Sequence, residues 1–186
     1  MTEPRLAFLG PEGSFSHAAA QKLAPEGAML AAYADLEAVL AALDDGEAAF
    51  AVAALDSAAG PIAETQAVLA SGTVEEIGRI ALPVSFDLYR RAEDLGPLIG
   101  VYGHPKALSQ IAGFVAREGL KTREAASNTA GLASVRDGAE PGWGAAGPPG
   151  LSQAFGLEVR ARALESPARN ETVFVLLRRA GAPPPA

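Results

Sequence analysis

The stretch RLAFLGPEGSFSHAAA, residues 5–20, decides how this chain is read. Arg5–Leu9 is a short apolar run closed by Gly10-Pro11, the pattern of a buried strand followed by a turn. Ser14 stands at an N-cap position ahead of Phe15–Leu23, where the apolar spacing predicts a helix. Glycine lets backbone approach a ligand, and the free N–H groups of a helix start favour an anion. An ordinary strand, turn and serine-capped helix would read the same way. The segment carries no Gly-Lys-Ser/Thr of a phosphate-binding loop, and its glycines do not fit G-x-G-x-x-G.

Working outward, the alternation continues. Met29–Tyr33 reads as a second strand, and Asp35 caps a helix over Leu36–Leu43. Ala49–Leu55 is a continuous apolar run of a length that suits a buried parallel strand. Pro61 suits the first turn of a helix running to Leu69. Ile77–Tyr89 is extended, with Pro83 marking an edge or a crossing. In the second half, Leu98–Tyr102 is a strand and Pro105–Arg117 a helix. Thr122–Ala125 is a brief strand, and Ser127 or Asn128 caps a helix to Val135. Gly138–Gly150 is a loop with a short strand near Trp143–Ala146, followed by a short helix over Leu151–Phe155. Leu157–Leu164 and Thr172–Arg178 are the last strands.

This pattern predicts the α/β class. Ile77–Tyr89 and Leu157–Leu164 are expected to act as twin crossovers between two lobes. Residues 1–80 with 165–180 then form one lobe and 81–164 the other, with a ligand cleft between them. Residues 181–186, with three consecutive prolines, are expected to be a frayed tail.

Composition narrows the function. The 186 residues include 15 basic and 22 acidic ones, for a formal charge of −7, and no cysteine. That excludes disulfides, thiolate zinc sites and a cysteine nucleophile. Two distant histidines, His17 and His104, argue against a histidine metal site. The acidic balance argues against nucleic acid as a partner. No stretch approaches the roughly 20 apolar residues that span a bilayer. The N-terminus lacks the charged and apolar regions of a signal peptide, so a cytoplasmic protein is expected.

Five polar clusters fall at strand ends or helix starts. The first is the Gly10–Ser16 turn, with Ser14. Asp56, Ser57 and Gly60 follow a buried strand, where ligands of α/β sheets tend to sit. His104 and Lys106 begin a helix whose N-terminus would attract a carboxylate. Asn128, Thr129 and Ala130 begin another. Asn170-Glu171-Thr172-Val173-Phe174 leads into the last strand. Taken singly, each is also explained by plain capping or packing. Together they suggest an anion-binding cleft.

In order along the chain, these segments resemble the prephenate dehydratase family. FLGPEGSFSHAAA is similar to that family's Gly-Pro-Glu-Gly-Thr-Phe-Ser start. GHPKALSQ (103–110) is similar to its Ser-His-Pro-Gln-Ala-Leu-x-Gln, and SNTAGLA (127–133) to its Ser-Thr-Ala helix start. FGLEV (155–159) is similar to its Tyr-Gly-Leu segment, and NETVF (170–174) to Asn-x-Thr-Arg-Phe. The resemblance implies two α/β lobes with a cleft, like a type II periplasmic binding protein. It implies conversion of prephenate to phenylpyruvate on the route to phenylalanine, with no cofactor and no metal. It also implies a homodimer or higher oligomer. The match leaves only the proline-rich tail, so no ACT-type regulatory domain is expected.

By this resemblance Thr172 is the catalytic hydroxyl. Ser14, Asp56, Ser57, Gly60, His104, Lys106, Asn128, Thr129, Ala130, Asn170 and Phe174 are the candidate substrate-binding positions. Several family polar residues are replaced. The Arg after the threonine is Val173. The Glu and Asn of Pro-Ile-Glu-Asn-Ser are Leu55 and Asp56. The His of Leu-Pro-Ile-x-His is Phe86, and the Ser before His-Pro is Gly103. Arginine is a fork of donors with permanent charge, which valine cannot replace. Lys106 is expected to restore part of that charge. The alternative reading is a catalytically silent or altered member that binds a small carboxylate, or decarboxylates prephenate without aromatisation.

Overall fold

A computed structural model describes residues 3–58, 60–138, 140–165 and 170–182. In chain order the elements begin with β1 (Arg5–Leu9), α1 (Phe15–Leu23), β2 (Met29–Tyr33), α2 (Leu36–Asp44), β3 (Phe50–Ser57), β4 (Gly60–Pro61), α3 (Ala63–Ala70) and β5 (Val74–Pro83). Then come β6 (Asp87–Arg90), β7 (Gly100–Gly103), α4 (Pro105–Gln110), α5 (Ala112–Arg117), β8 (Lys121–Glu124) and α6 (Asn128–Arg136). The last are β9 (Trp143–Gly147), α7 (Ser152–Phe155), β10 (Glu158–Ala161) and β11 (Glu171–Arg179). The described chain divides into two compact units, one through Val84 plus the segment from Asn170, the other from Ser85 to Glu165.

The first unit is built on a sheet in the order β2-β1-β3-β11-β5, with β4 turned back on β3. β1 pairs parallel with β2 and β3, and β11 pairs antiparallel with β3 and β5. Both faces of the central strands are covered, which explains their unbroken apolar runs. Leu6, Phe8, Phe50, Val52, Phe174 and Leu176 pack with Ala19 and Ala20 of α1. Ala7, Ala51, Ala53, Val175 and Leu177 pack with Val39, Ala42 and Leu43 of α2. The edge strand β5 carries a bulge, with Leu176 opposite Gly78 and Leu177 opposite Glu76, so that Ile77 is left over. Such a bulge blunts an exposed edge against further pairing.

The second unit holds a sheet in the order β10-β6-β9-β7-β8. Tyr89, Leu132, Val135, Ala145 and Leu157 form one cluster of its core. Glycine here makes room for large neighbours. A Cβ on Gly100 would lie 2.5 Å from the Trp143 ring, and one on Gly147 would lie 2.6 Å from Leu132. Two buried polar tethers close the sheet. The Tyr89 hydroxyl donates to the Pro148 carbonyl at 2.6 Å, and burial pushes its acidity constant up. Arg90 meets Asp94 at 2.9 Å and donates to the Gly96 carbonyl, while Asp94 accepts the Gly142 N–H at 2.8 Å. Burial opposes the charged form of Asp94, but the Gly142 N–H and the Arg90 guanidinium hold it below the usual carboxylate value.

Four local expectations change. Pro61 does not open α3. It pairs with Asp56 in β4, Ile62 donates to the Leu55 carbonyl, and the helix starts at Ala63. The extended run over 77–89 is two strands in different sheets, interrupted after Pro83. The helix over 105–117 is broken at Ile111, whose φ of −96° and ψ of 12° leave the α region. The segment 157–164 serves the second sheet, where β10 pairs with β6, rather than acting as a crossing strand. Of the tail, residues 183–186 lie outside the described residues. No helix among the described residues is long and apolar enough to cross a membrane.

Candidate functional site

In the first unit the Gly10–His17 turn is fastened from within. The Gly10 N–H donates to the Tyr33 carbonyl at 2.8 Å. Ser14 Oγ caps α1 by accepting the His17 N–H at 3.1 Å, and donates to the Leu9 carbonyl at 3.3 Å. His17, absent from the candidate site residues, accepts the Gly13 N–H on its Nδ1 at 2.9 Å. Its ring stacks on Phe8 at 5.0 Å. An Nδ1 that accepts places the ring proton on Nε2. The legible signal was a histidine four residues after a turn glycine, within the first helical turn.

The end of β3 carries a second bulge. Phe174 lies opposite Ala54 and Val173 opposite Asp56, so Leu55 is the extra residue. Bulges re-aim side chains and end pairing near functional sites. Three replaced family positions, Leu55, Asp56 and Val173, therefore meet at one point. Leu55 packs on the core under α2, whereas Asp56 is exposed and makes no hydrogen bond or ion pair among the described residues. Beyond it, Ser57 Oγ donates to the Gly60 carbonyl at 3.1 Å, and Gly60 takes a φ of +107° that favours glycine.

Just before β11, Asn170 Nδ2 donates to the Val84 carbonyl at 3.4 Å, and the Val84 N–H donates to the Asn170 carbonyl at 2.7 Å. Asn170 thus ties β11 to the end of β5. Thr172 is half-buried, one residue out of register with Asp56, and its hydroxyl has no partner among the described residues. Phe174 departs from its expected role. It is 2% exposed within the core under α1, so it anchors β11 instead of offering a face to a ligand.

In the second unit the polar groups serve the backbone. His104 caps α4 with Nδ1, which accepts the Lys106 N–H at 3.2 Å, and its own N–H donates to Asn128 Oδ1 at 3.0 Å. Ser127 caps α6 by accepting the Ala130 N–H at 3.0 Å, and its Oγ lies 3.0 Å from the buried Thr129 hydroxyl. The Lys106 ammonium is exposed and forms no ion pair among the described residues. Phe86 is buried, its N–H donating to Glu165 Oε2 at 2.9 Å and its carbonyl accepting from Leu164. A side chain on Gly103 would meet Leu108 at 3.1 Å. No group of three or more His, Cys, Asp or Glu that could hold a metal occurs among the described residues.

The structure therefore distributes the expected residues over two sets. Ser14, Asp56, Ser57, Gly60, Asn170 and Thr172 belong to the first unit; His104, Lys106, Asn128, Thr129 and Ala130 belong to the second. Two mixed sheets, with the C-terminal strand returned to the first, define an α/β protein of the periplasmic-binding-protein type. The prephenate dehydratase family profile matches residues 6–182, and the chain belongs to that family.

Its relatives agree. The bifunctional chorismate mutase/prephenate dehydratase of Escherichia coli K12 is 28% identical over 181 residues, covering 94% of this chain and 47% of that protein. The chain thus spans about half the length of that curated relative. The prephenate dehydratase structure from Staphylococcus aureus superposes with a TM-score of 0.82 at 24% identity, over 94% of this chain and 66% of that one. A prephenate dehydratase from Arthrobacter aurescens in complex with L-Phe gives 0.82 at 24% identity, over 98% and 62%.

Proposed function

We propose that this chain converts prephenate to phenylpyruvate by decarboxylating dehydration, a step of L-phenylalanine biosynthesis. The observation that carries the reading is Thr172, a half-buried hydroxyl without a partner among the described residues, in a chain of this family. In the reaction the ring carboxylate leaves as carbon dioxide. The electrons of that carbon–carbon bond enter the ring, the ring C–OH bond breaks, and a proton joins the departing hydroxide to give water. Forming an aromatic ring drives the change, so the protein's part is positioning and stabilising the departing oxygen. The Thr172 hydroxyl donates to that oxygen. The Lys106 ammonium is the counter-charge for a substrate carboxylate. Nothing in these steps calls on a cofactor or a metal. The same reading includes a dimer or higher oligomer working in the cytoplasm.

A second reading is favoured by Leu55, Asp56 and Val173, which put no arginine at the β3 bulge among the described residues: the chain binds a small carboxylate without this turnover, or decarboxylates it without aromatisation. Purified protein with prephenate separates the two. Phenylpyruvate formation that falls in Thr172→Val supports the dehydratase. Prephenate loss without phenylpyruvate, or a thermal shift without turnover, supports the other.

A further inference from the structure

Each of the two sheets ends in a pair of edge strands, β2 and β5 in one, β10 and β8 in the other. Three of these edges are protected. β5 carries the bulge at Ile77. β10 shifts register between Val159 and Ala161 and carries Glu158 and Arg160. β8 is Lys121-Thr122-Arg123-Glu124, exposed along its whole length. Bulges and charges of this kind stop a further strand from pairing. The remaining edge, β2, has neither. Met29-Leu30-Ala31-Ala32-Tyr33 carries no charge and no proline, and its register with β1 runs unbroken from Met29 to Tyr33. Met29 is 53% exposed and Ala32 is exposed as well.

The backbone of β2 has two sides. The Met29 N–H donates to the Pro4 carbonyl at 2.9 Å, and the Tyr33 carbonyl accepts the Gly10 N–H at 2.8 Å. Met29, Ala31 and Tyr33 thus turn their backbone groups to β1. Strand alternation directs the N–H and C=O of Leu30 and Ala32 outward. No strand pairs with β2 on that side among the described residues. A row of open donors and acceptors on an uncharged strand is a template for another strand.

We propose that β2 pairs antiparallel with β2 of a second copy of this chain, joining the two first-unit sheets across a two-fold axis at Ala31. The side chains fit that partner. Outward groups must meet outward groups, so Leu30 and Ala32 pair only with Leu30 or Ala32 of the other copy. Setting Leu30 against Ala32 overlaps the whole strand. It puts Ala31 against Ala31 at the axis, a non-hydrogen-bonded pair where side chains come closest and a methyl group fits. It puts Met29 against Tyr33 at both ends, a thioether beside a ring, which is a favourable cross-strand pair. The Tyr33 ring is already steadied through its hydroxyl, which donates to Glu47 at 3.0 Å. The same rule excludes β8. There the Lys121 N–H donates to Ile99 and the Ala125 N–H to Gly103, so Thr122 and Glu124 point outward. Pairing them across a two-fold axis would set Arg123 against Arg123, two like charges. Because the Gly10 N–H hangs on the Tyr33 carbonyl, the interface also steadies the Gly10–Ser14 turn. The proposal rests on the first unit's sheet alone, so loss of the dehydratase reading would leave it standing.

Two measurements on the full chain test this. The chain has no cysteine, so Ala31→Cys introduces its only thiol, which can form a disulfide solely with a second copy. Opposed residues of a non-hydrogen-bonded pair lie about 4.5 Å apart between Cα atoms, within reach of a disulfide. Oxidised Ala31→Cys protein should run mainly as a cross-linked dimer on a non-reducing gel, while Thr122→Cys on β8 should stay monomeric. By sedimentation equilibrium the native sequence should form a dimer. Ala32→Pro removes an outward N–H and leaves the β1 ladder intact, and should weaken that dimer about tenfold or more. Ala32→Lys, which puts a charge on the exposed edge, should weaken it as well and keeps the test open where circular dichroism shows that the proline variant does not fold. A native monomer at every concentration up to the solubility limit overturns the proposal. So does a dimer unmoved by Ala32→Lys, or cross-linking of Ala31→Cys no greater than that of Thr122→Cys.

Discussion

In the second unit, His104 and Ser127 give their side chains to the helices they start, and Asn128 is held to the His104 backbone. In the first unit, Thr172 and Asp56 give theirs to no partner among the described residues. Both sets of residues look alike in the sequence, as hydroxyls, amides and charges at strand ends. The difference shows that a polar residue at such a position is a ligand group only where the backbone has not already claimed it. By that criterion the second unit is chiefly a frame, with Lys106 exposed at the start of α4, while the first holds a hydroxyl and a carboxylate that have no partner among the described residues.

The strongest test of the second unit as a frame is Asp94→Asn. It leaves the buried Arg90 guanidinium without its counter-charge and should cost about 3 kcal/mol of stability at neutral pH, read by denaturant unfolding. Asp94 is held below its unfolded value of about 3.9, so its contribution is present above that value and lost as pH falls through the folded one. The gap between native and Asp94→Asn protein should therefore narrow below about pH 4. A constant gap would show that the pair is not what ties Gly142 down.

Thr172→Val is the corresponding test of the first unit. We expect kcat to fall about 100-fold with unfolding free energy nearly unchanged, since the hydroxyl has no partner to lose among the described residues. Loss of stability in step with activity would place Thr172 among the structural residues instead. Ser127→Ala should do the opposite, lowering stability by about 1 kcal/mol through loss of the α6 cap. The smallest effect is expected for Lys106→Ala: an exposed charge contributes up to about 1 kcal/mol, so KM should rise a few-fold with kcat retained. An unchanged KM would mean that Lys106 does not replace the positive charge missing at Val173.

Much of the fold was legible because its signals are local. β1, α1 and β2 begin and end where the apolar runs, Ser14 and the Gly10-Pro11 turn put them. Pro61 misled because a proline at a helix start and one on an edge strand satisfy the same φ restriction; the Asp56–Pro61 pairing decided between them. Phe174 misled for a related reason. Its motif position suggested a ligand contact, but strand alternation places it with Leu176 on the face packed against α1.

The sequence alone determined the α/β alternation, the caps of α1, α2 and α6, and the order of motifs that marks the prephenate dehydratase family. Each depends on residues close along the chain, where periodicity and capping chemistry act. The tertiary structure decided which polar groups remain unpartnered, and that Leu55, Asp56 and Val173, separated by more than a hundred positions, stand together at one bulge. That meeting depends on the register of β11 against β3. Register is set by the packing of two sheet faces rather than by any local signal.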